Sequence, residues 1–307
     1  MFEERFANNV GPSRVSLAYE ERGDPAHPTL LLVMGLAAQL VRWPVPFLDA
    51  LVARGLRVVR FDNRDSGRST HFRDAPPPDL PAALAGDLSS AAYDLSDMAA
   101  DAIGLLDFLE VSAAHVVGAS LGGAIAQVMA LDYPGRVRSL TSMMSTTGDR
   151  RVGQAHPETL KALFGGGPAK TREEAVARAV HAAGVVGSAT FPFDAEEVAE
   201  SAGIAYDRDH DDTAIARQAV ASVASGDRTE RLKALRVPSL VIHGLADTMC
   251  DPSGGRATAA AIPGAELVLI DGMGHNLPPG VRERIADLVA SVVKRSTFTS
   301  ATSGESP

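Results

Sequence analysis

The sequence predicts an α/β fold: a mostly parallel, doubly wound sheet with a helical cap insertion. Three observations predict it. Short leucine- and valine-rich runs alternate with amphipathic stretches at both ends of the chain, the rhythm of a parallel sheet covered on both faces. That rhythm stops between residues 147 and 228 and then returns. Finally, Gly118-Ala119-Ser120-Leu121-Gly122 stands between a strand-like run and a helix-like one, the pattern of a nucleophile elbow.

Residues 15–20 and 30–34 read as strands, separated by the turn Arg22-Gly23-Asp24-Pro25. Leu30-Leu31-Leu32-Val33-Met34 is apolar throughout, as a strand buried on both faces requires. A short helix is predicted over 47–54 and a strand over 56–61, ending in the polar loop Asp62-Asn63-Arg64-Asp65-Ser66-Gly67-Arg68-Ser69. Helical periodicity over 95–109 assigns Leu95, Met98, Ile103, Leu106 and Phe108 to the core. The elbow follows, with its strand at 115–117 and its helix at 123–130, and then a strand over 137–144. The insertion is rich in charge and helix formers, and helices are expected over 157–164, 171–183, 194–202 and 212–224. Strands over 239–243 and 267–270 and a helix over 281–293 complete the α/β pattern. These readings divide the chain into a core of 1–146 and 229–295 and a helical cap of 147–228. The Ser/Thr/Gly-rich tail, 296–307, has no packing pattern and is expected to be disordered.

The 307 residues suffice for one large α/β domain with an inserted subdomain. The chain is 45% hydrophobic and 22% charged, with net charge −9 and no run of Lys or Arg. That balance argues against nucleic acid or an anionic membrane as a partner. Cys250, the single cysteine, excludes an internal disulfide and a cysteine-cluster metal site. Met1-Phe2-Glu3-Glu4-Arg5 lacks the basic-then-apolar order of a signal peptide, and no apolar run reaches membrane-spanning length. The expectation is a cytoplasmic protein acting on a small molecule, with self-association left open.

A serine hydroxyl is a weak nucleophile at neutral pH and needs a base oriented by a carboxylate. Both are supplied by loops at predicted strand ends, where a parallel sheet forms its binding crevice. His275 lies in Asp271-Gly272-Met273-Gly274-His275, after the last predicted strand. The other seven histidines lack such a setting: His243 and His115 border strands and read as structural, and His210 sits in a solvated helix-capping turn. Asp247, in the loop after strand 239–243, leads as the acid, with Asp251 and then Asp149 as alternatives. Cys250 reads as packing rather than chemistry. An oxyanion formed at the serine needs amide donors. The N–H of Leu121 and that of Leu36, after the sharp turn Gly35 permits, are assigned to it. Their side chains are then free to line an acyl pocket. Met34 and Trp43 are candidate substrate-binding walls, as are Leu36, Phe164, Phe191 and Phe193.

The segments Leu31-Leu32-Val33-Met34-Gly35, Phe61 to Ser69, the elbow and Gly272-Met273-Gly274-His275 carry a resemblance to the α/β-hydrolase superfamily over almost the whole chain. They look closest to its aclacinomycin methylesterase-like branch from actinobacteria. The resemblance implies a serine triad of Ser120, Asp247 and His275 beneath a helical cap, and hydrolysis of a methyl ester on a polyketide glycoside. Many superfamily members carry His-Gly where this chain has Met34-Gly35, as that branch does. The insertion is poorly covered, so the branch's anthracycline substrate is not carried over. The serine nucleophile separates the chain from dehalogenases and epoxide hydrolases that resemble this fold but use aspartate.

The expected function is serine hydrolysis of small or medium esters or lactones through an acyl-enzyme, without cofactor or metal. The same triad supports carbon–carbon bond hydrolysis, with Arg64, Arg150 or Arg151 as the cation for a substrate carboxylate. It also supports cofactor-free perhydrolase (haloperoxidase) chemistry, and a non-catalytic ligand receptor is the reading from another class. Serine activation requires a neutral His275, so ester hydrolysis should fall as the imidazole is protonated in acid. A pH–rate profile checks this, and activity that rises below about pH 5 would contradict the assignment.

Overall fold

The computed structural model describes residues 3–36, 38–167, 169–188 and 190–302. Strands β1 (Arg5–Val10), β2 (Val15–Arg22) and β3 (Thr29–Val33) lead through a 3-10 turn (Leu40–Arg42) to helix α1 (Val45–Ala53) and strand β4 (Arg57–Phe61). Then come α2 (Leu80–Leu84), α3 (Leu95–Phe108), β5 (Ala114–Ala119), α4 (Leu121–Asp132) and β6 (Val137–Met143). Four consecutive helices follow: α5 (Pro157–Phe164), α6 (Arg172–Val186), α7 (Ala195–Arg208) and α8 (Asp212–Ala224). The chain ends with α9 (Thr229–Leu232), β7 (Ser239–Gly244), α10 (Ser253–Ala261), β8 (Glu266–Ile270) and α11 (Pro279–Thr302).

The eight strands form one sheet in the order β1-β2-β4-β3-β5-β6-β7-β8. β2 is antiparallel to both neighbours, and every pair from β4 to β8 is parallel. Side chains alternate across a strand, and β3 shows the result. Leu31 and Val33 join α3 and α4 on one face, while Leu30 and Leu32 join α1 and α11 on the other. That two-sided burial is why the run is apolar at every position.

The polar loop after β4 lies inside the protein: Asp62, Asn63, Arg64, Asp65 and Ser66 are all buried. Asp62 accepts the N–H of Leu40 at 2.6 Å and of Arg68 at 3.0 Å. Asn63 donates to the Met34 carbonyl at 3.0 Å. Arg64 reaches Asp101 of α3 through two hydrogen bonds of 2.6 and 2.7 Å, its guanidinium 4.9 Å from the Phe72 ring centroid and 5.1 Å from that of Tyr93. Asp65 takes both arms of Arg217 from α8 at 2.8 Å and the Tyr93 hydroxyl at 2.7 Å.

The short helices α2 and α9 were not expected, and four further features depart from the sequence expectations. β1 was not predicted, because its inward residues, Ala7 and Val10, are three apart rather than two. A register shift between them, with Asn9 at φ 58°, absorbs the odd residue. Helix α10 was also missed, since Ser253-Gly254-Gly255 reads as a loop. A Cβ at Gly255 would stand 2.5 Å from Nδ1 of His243, so close helix–strand packing requires glycine there. Phe108 is 47% exposed and meets the Tyr19 ring edge-on instead of entering the core. The expected disordered tail is helical as far as Thr302: α11 continues past Val293, Ser296 is buried, and Arg295 pairs with Glu266 at 2.8 Å. Residues 303–307 of that tail lie outside the described residues.

Breaking a buried ion pair leaves the surviving charge desolvated and uncompensated. Asp101→Ala should therefore destabilise the protein by about 3–5 kcal/mol. Urea unfolding of the variant beside the wild type checks this, and a loss below about 1 kcal/mol would show the pair to be dispensable.

Candidate active site

Ser120 sits between β5 and α4 with φ 55° and ψ −119°, a conformation that an L-residue adopts only under constraint. The constraint is the approach of α4 to the sheet. A Cβ at Gly118 would lie 2.0 Å from the Gly122 carbonyl oxygen, and one at Gly122 would lie 2.0 Å from that of Val33. Only glycine fits either place, which gives the Gly-x-Ser-x-Gly spacing its physical content. The Ser120 amide donates to the Met143 carbonyl at 2.9 Å, tying the turn to β6.

Asp247 lies in the loop after β7 with its carboxylate out of solvent. His275 Nδ1 donates to its Oδ2 at 2.7 Å, and its Oδ1 accepts from the amides of Met249 and Cys250 at 2.9 and 2.8 Å. Burial alone would raise this carboxyl. Hydrogen bonds from His243 and His275, with the Cys250 amide, outweigh it and hold the group at about 2. With Nδ1 donating to a carboxylate, the neutral His275 ring keeps Nε2 as an acceptor for a hydroxyl proton. His275 and Ser120 line the same cavity, of about 650 Å³.

The alternatives to these residues are engaged elsewhere. Asp251 accepts from the Ser253 amide at 2.9 Å, and Asp149 pairs with Arg151 at 2.7 Å. His115 is buried against the Ser139 hydroxyl, 2.8 Å from Nδ1, and burial lowers its pKa to about 4. Burial pushes the Cys250 thiol up, away from the reactive thiolate. Asp211 caps α8, while the His210 ring stacks on Tyr206 with centroids 4.3 Å apart.

Of the residues assigned to the oxyanion, Leu121 opens α4, where a first-turn N–H has no intrahelical acceptor. Leu36 lies in the loop after β3, beside Gly35, where a Cβ would stand 3.1 Å from that of Ser120. Among the described residues neither amide meets an acceptor. The leucine side chains part company: Leu36 lines the cavity, whereas Leu121 is buried between α4 and the sheet. Met34, Trp43 and Phe193 also line the cavity. Phe164 is 56% exposed and Phe191 packs toward the α11 side of the core, so neither is among its walls.

Two supports were not visible in sequence. His243 Nε2 stands 2.8 Å from the Cys250 carbonyl oxygen and 3.3 Å from Asp247 Oδ2. A carbonyl only accepts, so Nε2 carries the proton and can share it with the carboxylate. His243 is four residues before Asp247, and that spacing was the available signal. The other support, the Val186 carbonyl at the end of α6, accepts the His275 amide at 2.7 Å. Its distance along the chain left no signal. Arg64, Arg150 and Arg151, the cations considered for a substrate carboxylate, bond to Asp101, the Leu84 carbonyl and Asp149. None of the three lines the cavity.

Residues 28–278 match the α/β-hydrolase-fold family. The chain is 32% identical to rhodomycin D methylesterase DnrP of Streptomyces peucetius, over 92% of this chain and 96% of that protein. It is 31% identical to rhodomycin D methylesterase DauP of Streptomyces sp. strain C5, over 94% and 98%. Among solved structures, the enol-lactonase of Burkholderia xenovorans LB400 superposes with a TM-score of 0.67. At 23% identity, over 96% of this chain and 100% of that one, it shares the fold.

Asp247→Asn keeps the shape of the acid but no longer anchors Nδ1–H as a carboxylate does. It should lower kcat by about 10⁴-fold. Steady-state kinetics on a p-nitrophenyl ester measures this, and a loss under about tenfold would remove Asp247 from the mechanism.

Proposed function

This chain belongs to the α/β-hydrolase family, and we propose that it is a serine hydrolase that cleaves carboxylic esters through an acyl-enzyme. One observation carries the reading. Ser120, on its strained turn, opens onto the same cavity as His275, whose far ring nitrogen is bonded to a buried, ionised Asp247.

In this reading His275 Nε2 takes the Ser120 hydroxyl proton as Oγ attacks the ester carbonyl. Asp247, fixed by His243 and two amides, holds the tautomer and balances the imidazolium that forms. The amides of Leu121 and Leu36 receive the developing oxyanion. Collapse expels the alcohol with the proton from His275, and a water activated by the same imidazole releases the acid. Residues 147–228, which include α5 to α8, act as the cap over the core, and Met34 and Trp43 as walls of the acyl site. No cofactor takes part.

The cavity is within the range of small-molecule sites, and its walls are mainly apolar. With methylesterases as relatives over more than nine-tenths of the chain, the substrate is a methyl or similarly small-alcohol ester of a bulkier acid. The same relatives count against carbon–carbon hydrolysis and perhydrolysis. Among the described residues no helix is long and apolar enough to cross a membrane. The acidic charge and a lone buried cysteine support a cytoplasmic place for it.

The test is hydrolysis of p-nitrophenyl acetate and butyrate at pH 8 by the wild type and by Ser120→Ala. Turnover should fall by more than about 10³-fold in the variant. Equal turnover by both proteins, or none by a folded wild type on these or on methyl esters, would overturn the esterase reading.

A further inference from the structure

Resting on that reading, we propose that the ester this enzyme takes carries an anionic oxygen group remote from the scissile carbonyl, a carboxylate or an ionised enol or phenol, and that Arg42 binds it. Arg42 ends the 3-10 turn after β3 and lines the same cavity as Ser120. Its Nη1 donates to the Ser201 hydroxyl of α7 at 2.8 Å. A guanidinium has five N–H donors, yet among the described residues no carboxylate comes within ion-pair distance of this one.

The other two arginines on these walls are satisfied. Arg60 is held by Glu20 at 2.9 Å and by the carbonyls of Leu40 and Trp43 at 3.1 Å. Arg282 takes both oxygens of Glu197 and the Leu277 carbonyl. The cavity's own carboxylates are similarly committed or remote. Glu197 is neutralised by Arg282, Asp194 caps α7 through two amides at 3.0 Å, and Glu200 is exposed.

Arg42 is thus a half-buried cation facing a ligand cavity, and among the described residues its guanidinium bonds only a neutral hydroxyl. Desolvation lowers its pKa, with Glu197 acting in the opposite sense. A partly buried charge without a counter-charge favours an anion beside it. A planar anion would bind the guanidinium through two parallel N–H bonds. Ser120 reaches the cavity from the end of the sheet and Ser201 from α7, so ester cleavage and anion recognition would draw on different elements of its wall.

Two measurements test this. The first compares kcat/KM for methyl hydrogen adipate, which has a free carboxylate, with that for methyl hexanoate. Arg42→Gln should lower the value for the anionic ester at least about tenfold more than for the neutral one, mainly through KM, and Arg42→Lys should restore part of it. Equal losses on both esters would overturn the proposal. The second needs no turnover: Trp43, the only tryptophan, lines the cavity beside Arg42 and reports adipate binding by fluorescence. Adipate binding that weakens at least about tenfold in Arg42→Gln supports the anion site even if neither ester is cleaved, in which case only the esterase reading falls. Adipate binding that is absent, or unaltered by the substitution, overturns the anion site whatever the ester kinetics show.

Discussion

The buried polar loop from Asp62 to Ser66 is the constraint on which the rest of the structure depends. A parallel sheet leaves its strand-end loops to be organised by whatever they touch, and here this loop touches the turn after β3, helix α3 and the insertion. Through Asp62 and Asn63 it holds the backbone on both sides of Gly35 and Leu36. Through Arg64 it grips α3. Through Asp65 and Asp62 it binds Arg217 and Arg208, from the helices between β6 and β7. Buried charges of this kind stabilise only when their partners and remaining lone pairs are all satisfied. The loop therefore demands one arrangement of sheet, helices and insertion at once.

The reactive groups depend on this arrangement in different ways. Ser120 is held by local sterics: glycines at 118 and 122 let α4 come down on β3 and β5 until the serine has no relaxed conformation left. Strain of that sort survives only where packing over-determines it. His275 is held by contacts from far along the chain, with its side chain on Asp247 and its amide on the Val186 carbonyl. Gly274 permits the second contact, since a Cβ there would stand 2.3 Å from the Val186 oxygen. The insertion, whose α6 and α7 line the cavity, thus also holds the backbone at His275.

Much was legible along the chain, and each legible item has a local cause. Periodicity reports burial, so β3, β5 and α3 could be read from their apolar positions, and the elbow from glycine spacing. The turn around His210 marked the start of a helix, where the Asp211 side chain accepts amides two and three residues on. Where the period was broken the reading failed: the bulge in β1 hid a strand, and the glycines of α10 disguised a helix. Phe108 follows the apolar pattern of α3, but the last turn of that helix has left the sheet's cover.

The sequence by itself determined the fold class, the strained serine and the order in which serine, acid and histidine occur, because short-range sterics and hydrophobic period decide these. Only the tertiary structure decided that Asp247, rather than Asp251 or Asp149, meets His275, that His243 shares the acid, and that Arg64 is a structural cation. It alone left Arg42 facing the cavity with no carboxylate among the described residues within ion-pair distance. Those outcomes are set by which loops meet across the sheet, and such distances are a property of the folded chain, with no trace in the spacing of residues along it.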